Sequence, residues 1–279
     1  MLKIDLNPRL QSGLFNQLYS LVNGIIIAKD IKYNLYVKYF YPQYNLYNKV
    51  DINEVINIKE LEKINNIKIF YNINININWL KLENYVFHEN PNSIVNKVEK
   101  LKNYKTEFID INDSFGLFYL YNRIKNKTFL NILFTIPFTE KFTNIKNNII
   151  NQINNNYISI HLRIEDDINE RERNASINKY IENELNKIDK NEYIYFSTGL
   201  TPKDKYYYRI DEIKKLFPNA LFIKKYFNEY EEREYNAIID YLVCRESYKF
   251  YGCLISTFSI TIANYFNFNN KLLITFNVY

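Results

Sequence analysis

"YISIHLRIEDD", residues 157–167, is the stretch on which the reading of this chain turns. "YISIHLR" is an apolar run of strand-forming residues; it closes on His161 and Arg163, and three acids, Glu165 to Asp167, follow. Working outward, "EYIYFST" (192–198), "NALFIKK" (219–225), "YKFYGCLIST" (248–257) and "KLLITFNV" (271–278) read as further strands. Between them, "SINKYIENELNKI" (176–188), "KYYYRIDEIKKLF" (205–217), "EREYNAIIDYLVCRES" (232–247) and "FSITIANYFN" (258–267) read as helices, the first with Ser176 as its N-cap. Strand and helix alternate throughout, which predicts a parallel sheet with helices on both faces.

The N-terminal half opens in the same way. "MLKIDL" is a first strand and "NPRLQSGLFNQ" a Pro- and Gly-bearing loop. Leu18, Leu21, Val22, Ile25 and Ile26 then recur at helical spacing, and "NLYVKYFY" follows as a strand. Residues 50–135 carry weaker patterning. "NNIKIFYNINININWL" (65–80) has the period of two of a strand exposed on one face, "NSIVNKVEKLKNY" and "SFGLFYLYNRIK" look helical, and "FTEKFTNIKNNIINQINN" (138–155) is a helix leading into the second half. Two such layers predict an α/β protein with two Rossmann-like domains facing a cleft, residues 1–140 and 141–279.

At 279 residues, with 47% apolar and 24% charged side chains, the chain has the composition of a folded protein rather than a disordered one. Asn, Ile, Lys and Tyr dominate; they are the amino acids of AT-rich codons. The 27 Tyr and 20 Phe follow from that bias more readily than from a sugar-stacking surface. The net charge of +5 suits a groove for an anionic ligand. Basic residues are interspersed with acids and no nucleic-acid motif accompanies them, which argues against DNA or RNA as partner. Cys244 and Cys253 have no CxxC partners, so no cysteine metal site is expected. No signal-peptide pattern opens the sequence, and no apolar run reaches the ~18 residues of a membrane span. The chain therefore reads as a cytoplasmic protein without a membrane span, and its composition suits a bacterium or a large DNA virus.

Three stretches carry candidate chemistry. Ligands of open parallel sheets bind at the carboxyl ends of the strands, where His161 and Arg163 fall. Together they form a donor pair suited to a phosphate or a nucleobase, or, more plainly, a strand cap and a salt bridge to Glu165 or Asp166. In "GLFNQLYS" (13–20) a Gly turn leads into a helix N-terminus, whose free N–H groups favour anions; it is neither GxGxxG nor a Walker loop. In "LISTFSITIANYF" (254–266), Ser256, Thr257 and Ser259 lie at a strand-to-helix junction where hydroxyl and backbone N–H groups can hold a diphosphate or simply cap the helix.

Taken together and in this order, the three resemble the GDP-fucose-dependent fucosyltransferases. "GLFNQLYSL" resembles their GG-x-x-NQ loop, "HLRIEDD" their H-x-R-x-x-D motif, and residues 237–263 their third region, in which a helical Asp precedes an F-x-G-x-x-x-S-T-F-S turn. The resemblance implies a GT-B fold, with GDP-fucose held by the C-terminal domain and the acceptor in the cleft. It implies that Arg163 holds the β-phosphate and stabilises the departing diphosphate, that His161 faces the nucleotide, and that Asp240 faces the guanine. Ser256, Thr257, Phe258 and Ser259 would wrap the phosphates and ribose, and Asn16 with the backbone at Gly13 would reach the donor from the N-terminal domain. Three positions depart from the pattern: Ser12 replaces the first Gly, Phe15 a small residue, and Ile164 the second Arg common in sugar-specific members. Ile164 is better tolerated among the protein O-fucosyltransferases.

The expected activity is inverting, metal-independent transfer of fucose, or a related deoxysugar, from a GDP-sugar to a glycan or protein hydroxyl. No D-x-D triplet is present to hold a divalent metal, and a cationic Arg with helix N-termini can stabilise the leaving group instead. No cofactor beyond the donor substrate is expected. The acids behind the motif supply candidates for a general base; the α1,6 enzymes, with a Glu shortly after the motif, point to Glu170 or Glu172. His88 reads as structural. The competing reading is a nucleotide-sugar-binding relative without turnover, for which the altered first loop is the best support.

Overall fold

The computed structural model describes residues 1–4, 6, 13–37, 39–40, 50–71, 80–81, 100–103, 106–111, 126–153, 156–163, 183–200, 204–222, 233–254 and 256–276. The chain divides into two compact units, Met1–Thr139 and Glu140–Tyr279, each built around one five-stranded parallel sheet.

In the first unit the elements are β1 (Leu2–Ile4), α1 (Leu14–Asp30), β2 (Leu35–Val37), α2 (Ile52–Val55), α3 (Ile58–Asn65), β3 (Ile69–Tyr71), β4 (Leu80–Lys81), β5 (Ile109–Ile111) and α4 (Asn126–Phe134). The sheet order is β3-β2-β1-β5-β4. Leu2 and Ile4 are fully buried, and α1 lies so close above them that a Cβ on Gly24 would stand 2.4 Å from Ile4 Cδ1. Glycine at 24 is therefore what lets this helix settle onto β1. Lys3, between the two apolar residues, pairs in register with Asp110 and donates to its carboxylate at 2.7 Å. Tyr19 of α1 meets Phe129 of α4 edge to face at 5.0 Å. Of the strand expected over 65–80, Ile69–Tyr71 form β3 and Leu80 opens β4, whereas Asn65 ends α3 and Asn66 caps it in left-handed conformation; 72–79 lie outside the described residues. Of the helix expected at 92–104, residues 100–102 are described and helical; that expected at 114–125 lies outside.

The second unit contains α5 (Glu140–Gln152), β6 (Ile158–His161), β7 (Ile194–Ser197), α6 (Tyr208–Leu216), β8 (Ala220–Phe222), α7 (Arg233–Glu246), β9 (Lys249–Cys253), α8 (Thr257–Phe268) and β10 (Leu272–Phe276), in the sheet order β10-β9-β6-β7-β8. The helix expected over 176–188 is described only at its end, which is a turn followed by a 3-10 segment, Leu185–Lys187. There Lys187 and Ile188 donate to carbonyls three residues back, the tighter bonding that closes short helical ends.

This second sheet has two chemically different faces. Ile158, Ile160, Ile194 and Phe196 alternate onto one side and pack against Ile210 and Ile213 of α6 and against Phe217. Burying each contributes about 1.5–3 kcal/mol, against about 1 kcal/mol net for a typical hydrogen bond, so this face dominates the layer's stability. The intervening residues Ser159, His161, Tyr195 and Ser197 point to the side covered by α7 and α8, and all four are buried. Ser159 Oγ lies 2.6 Å from Ser247 Oγ, and the Tyr157 hydroxyl donates to the Val243 carbonyl at 2.6 Å, fixing the C-terminal end of α7 on the sheet.

Candidate functional site

Strand order places the site. From β6 the chain builds outward through β7 to β8, then returns to lay β9 on the other side of β6. The reversal makes the carboxyl ends of β6 and β9 a topological switch point, where open α/β sheets receive ligands. The pairing is uneven there. β6 stays with β7 as far as His161↔Ser197, and its ladder with β9 ends one residue earlier, at Ile160↔Tyr251.

His161 closes β6 at this point and is 6% exposed. Its Nδ1 lies 2.7 Å from Ser259 Oγ, and its ring lies 4.5 Å from that of Phe258 at a 38° tilt. Both partners belong to the first turn of α8. Ser256 is the N-cap in extended backbone conformation, and the first bond back within the helix runs from Ile260 N–H to the Ser256 carbonyl at 2.9 Å. The N–H groups of Thr257, Phe258 and Ser259 belong to the first turn, ahead of the helix's own bonding pattern, and that turn carries no acid. Helix N-termini favour anions, and here His161 is held beside one through Ser259. Gly252 makes the approach possible: a Cβ there would fall 2.4 Å from Phe250 Cε1 and 3.0 Å from Ser259 Oγ.

Asp240, 5% exposed on α7, stands beside this junction. Its Oδ1 accepts from the Tyr195 hydroxyl at 2.7 Å and its Oδ2 from Ser197 Oγ at 3.0 Å. Ser197 is the residue in register with His161, so the carboxylate anchors α7 at the level where β6 ends. Burial first, and the Asp240 charge second, hold the Tyr195 phenol well above its usual value, so it remains a donor. The same two causes push the Cys244 thiol up.

The other expected residues fall as follows. Arg163 follows β6 by two residues and is partly exposed. Ser256 and Thr257 are partly exposed at the head of α8, whereas Ser259 is fully buried. Gly13 and Asn16 belong to the first unit, where Gly13 is the N-cap of α1 and its carbonyl accepts from the Asn16 and Gln17 N–H groups. Among the described residues Asn16 Oδ1 is buried with no hydrogen-bond partner. Glu170, Glu172 and His88 lie outside the described residues. Among the described residues no group of three or more His, Cys, Asp or Glu comes together to hold a metal ion, and no helix is long and apolar enough to cross a membrane.

Sequence reasoning did not single out Tyr195, Ser197 or Gly252 as residues of this junction. Gly252 had a signal in the F-x-G of the third motif. Tyr195 and Ser197 had only their place on the alternating side of a strand whose neighbour was not yet known.

No curated protein matches the chain. Among solved structures, fucosyltransferase NodZ from Bradyrhizobium superposes with a TM-score of 0.63 at 12% identity, covering 94% of this chain and 91% of that one. The NodZ alpha-1,6-fucosyltransferase co-crystallised with GDP gives 0.61 at 11% identity, over 94% and 90% of the two chains. POFUT1 in complex with GDP-fucose gives 0.56 at 11% identity, over 99% and 97%. At such identities these likenesses speak for the shared two-domain GT-B fold. The family model for GDP-fucose protein O-fucosyltransferase matches residues 27–269, from the last turn of α1 through the end of α8, and the chain belongs to that family.

Proposed function

We propose that the protein is a metal-independent, inverting glycosyltransferase that moves fucose, or a closely related deoxysugar, from a GDP-sugar to a hydroxyl of a glycan or protein. The observation that carries this reading is the His161–Ser259 junction at the switch point, with the α8 N-terminus beside it. Residues 141–279 take the donor, and residues 1–140 form the acceptor side.

In the reaction the acceptor oxygen attacks the anomeric carbon from the face opposite the diphosphate. The bond from that carbon to the β-phosphate oxygen breaks, and its electron pair leaves on GDP. Negative charge builds on the diphosphate, and the guanidinium of Arg163 together with the N–H groups of Thr257, Phe258 and Ser259 stabilises it. Ser256 and Thr257 supply hydroxyls to the phosphates and ribose. His161, fixed through Nδ1, faces the nucleotide with Nε2. Asp240 serves the guanine end, with its carboxylate oriented by the Tyr195 and Ser197 hydroxyls. Asn16 and the Gly13 backbone reach the donor from the first unit. The acceptor proton passes to Glu170 or Glu172. The donor is the only small molecule required, and the reaction runs in the cytoplasm.

A thermal-shift panel of GDP- and UDP-sugars, followed by a GDP-release assay with GDP-fucose, tests the reading. Stabilisation by GDP-sugars and release of GDP in the presence of acceptor are expected. Stabilisation by UDP-sugars alone would refute the donor assignment, and binding without turnover on any acceptor would leave a nucleotide-sugar-binding protein.

A further inference from the structure

The face of α7 that lies on the sheet reads as a ladder of polar contacts. Cys244, near its C-terminal end, offers its carbonyl to Ser159 Oγ at 3.4 Å, two residues before the end of β6. One turn earlier Asp240 accepts from Ser197, level with the strand's last residue. One turn earlier again, at the same i,i+4 spacing, is Asn236. A helical turn of four residues advances about 6 Å, close to the rise of two strand residues, so Asn236 sits just beyond the carboxyl ends of β6 and β7. It is 8% exposed, and its Oδ1 is buried without a hydrogen-bond partner.

An unmet acceptor in such a position is costly, whereas the Asp240 carboxylate beside it on the ladder already accepts from two hydroxyls. What Oδ1 lacks is a donor. The diphosphate half of the donor substrate offers only acceptor oxygens, whereas the nucleoside half offers base N–H groups and ribose hydroxyls. We propose that Asn236 is a specificity-determining residue for the nucleoside half of the donor, accepting a hydrogen bond from a base N–H or a ribose O–H through Oδ1. The proposal rests on the GDP-sugar reading of the same site.

The test compares the intact wild-type protein with Asn236→Leu, and with Asn236→Ala as the smaller alternative should leucine not be accommodated. Each is measured by calorimetry with GDP and with inorganic pyrophosphate, and by thermal melting without ligand. Asn236→Leu should weaken GDP about tenfold and leave pyrophosphate unchanged, because the lost contact lies at the nucleoside end. Its ligand-free melting temperature should stay level or rise, since an unmet buried acceptor has been replaced by an apolar group of similar size. A purely structural asparagine would give the opposite pattern, a lower melting temperature with equal losses for both ligands. Inosine diphosphate and 2′-deoxy-GDP separate the donor groups: loss of the variant's effect with the former assigns the guanine 2-amino group, and with the latter the ribose 2′-hydroxyl. Unchanged GDP affinity in both variants, or parallel loss of GDP and pyrophosphate, overturns the proposal. A wild-type protein that binds pyrophosphate but not GDP instead overturns the donor reading beneath it.

Discussion

Replacing Gly252 by alanine asks whether the approach of α8 to the sheet depends on the missing side chain. The added methyl would sit 2.4 Å from Phe250 Cε1, 2.7 Å from its Cζ and 3.0 Å from Ser259 Oγ. All three distances require movement. The Phe250 ring is fully buried and lies 5.7 Å from Phe266, so it cannot swing into solvent. Overpacking of this kind costs about 1–3 kcal/mol. For a unit of this size that corresponds to a fall in melting temperature of about 3–10 °C, measurable by calorimetry or circular dichroism. The softer contact, Ser259 Oγ, is also the partner of His161, so GDP affinity should fall in the same variant. Trimming the ring supplies the control: Gly252→Ala combined with Phe250→Leu should cost less than the two single changes added together, by on the order of 1 kcal/mol. A Gly252→Ala protein that melts like wild type and binds GDP unchanged would falsify the close-approach argument.

Further outcomes follow from the same geometry. Arg163→Ala should lower transfer on the order of a hundred- to a thousand-fold while the fold survives, as read by GDP release and thermal melting; near wild-type turnover refutes the leaving-group role. Asp240→Ala leaves the Tyr195 and Ser197 hydroxyls without their acceptor and should cost about 2–5 kcal/mol in urea unfolding, with Asp240→Asn milder because one acceptor oxygen remains. At alkaline pH the Tyr157 and Tyr195 phenols, both held above their usual value chiefly by burial, keep their protons in the folded chain after the unfolded chain has released them. Stability should therefore hold below about pH 10 and decline as pH rises past it. Absorbance at the phenolate band should show at least these two tyrosines ionising only on unfolding, and a titration in which every tyrosine ionises freely near pH 10 contradicts their burial.

The second unit was the more legible from sequence. Its strands are short apolar runs punctuated by Gly, Pro or charged residues, and the helices between them have clear faces. The observed β7, α6, β8, α7, β9, α8 and β10 each fall within the stretch read for them or differ by a residue or two. In the first unit, α1 stood out through its leucines and isoleucines. α2, α3 and α4 were missed: α2 is four residues long, and in α3 the buried Ile58 and Leu61 recur between charged residues over only two turns, a short signal inside an Asn- and Ile-rich stretch. At the candidate site, the meeting of His161 with Phe258 and Ser259 spans nearly a hundred residues, and only the order of the motifs hinted at it. The Asp240 partners were illegible for a different reason. Which hydroxyls reach a helical carboxylate depends on which strand lies beneath that turn, and sequence spacing does not carry strand order.

The two unlike faces of the second sheet bear on how this protein can be altered. Side chains toward α6 form the apolar layer, and those toward α7 and α8 make the polar contacts of the proposed donor site, yet they alternate along the same strands. Stability and recognition are therefore interleaved in sequence but separated in space. Odd and even positions of β6 and β7 form two independent alphabets: repacking Ile158, Ile160, Ile194 and Phe196 can harden the scaffold while the grammar of recognition, written on the residues between them, stays as it was.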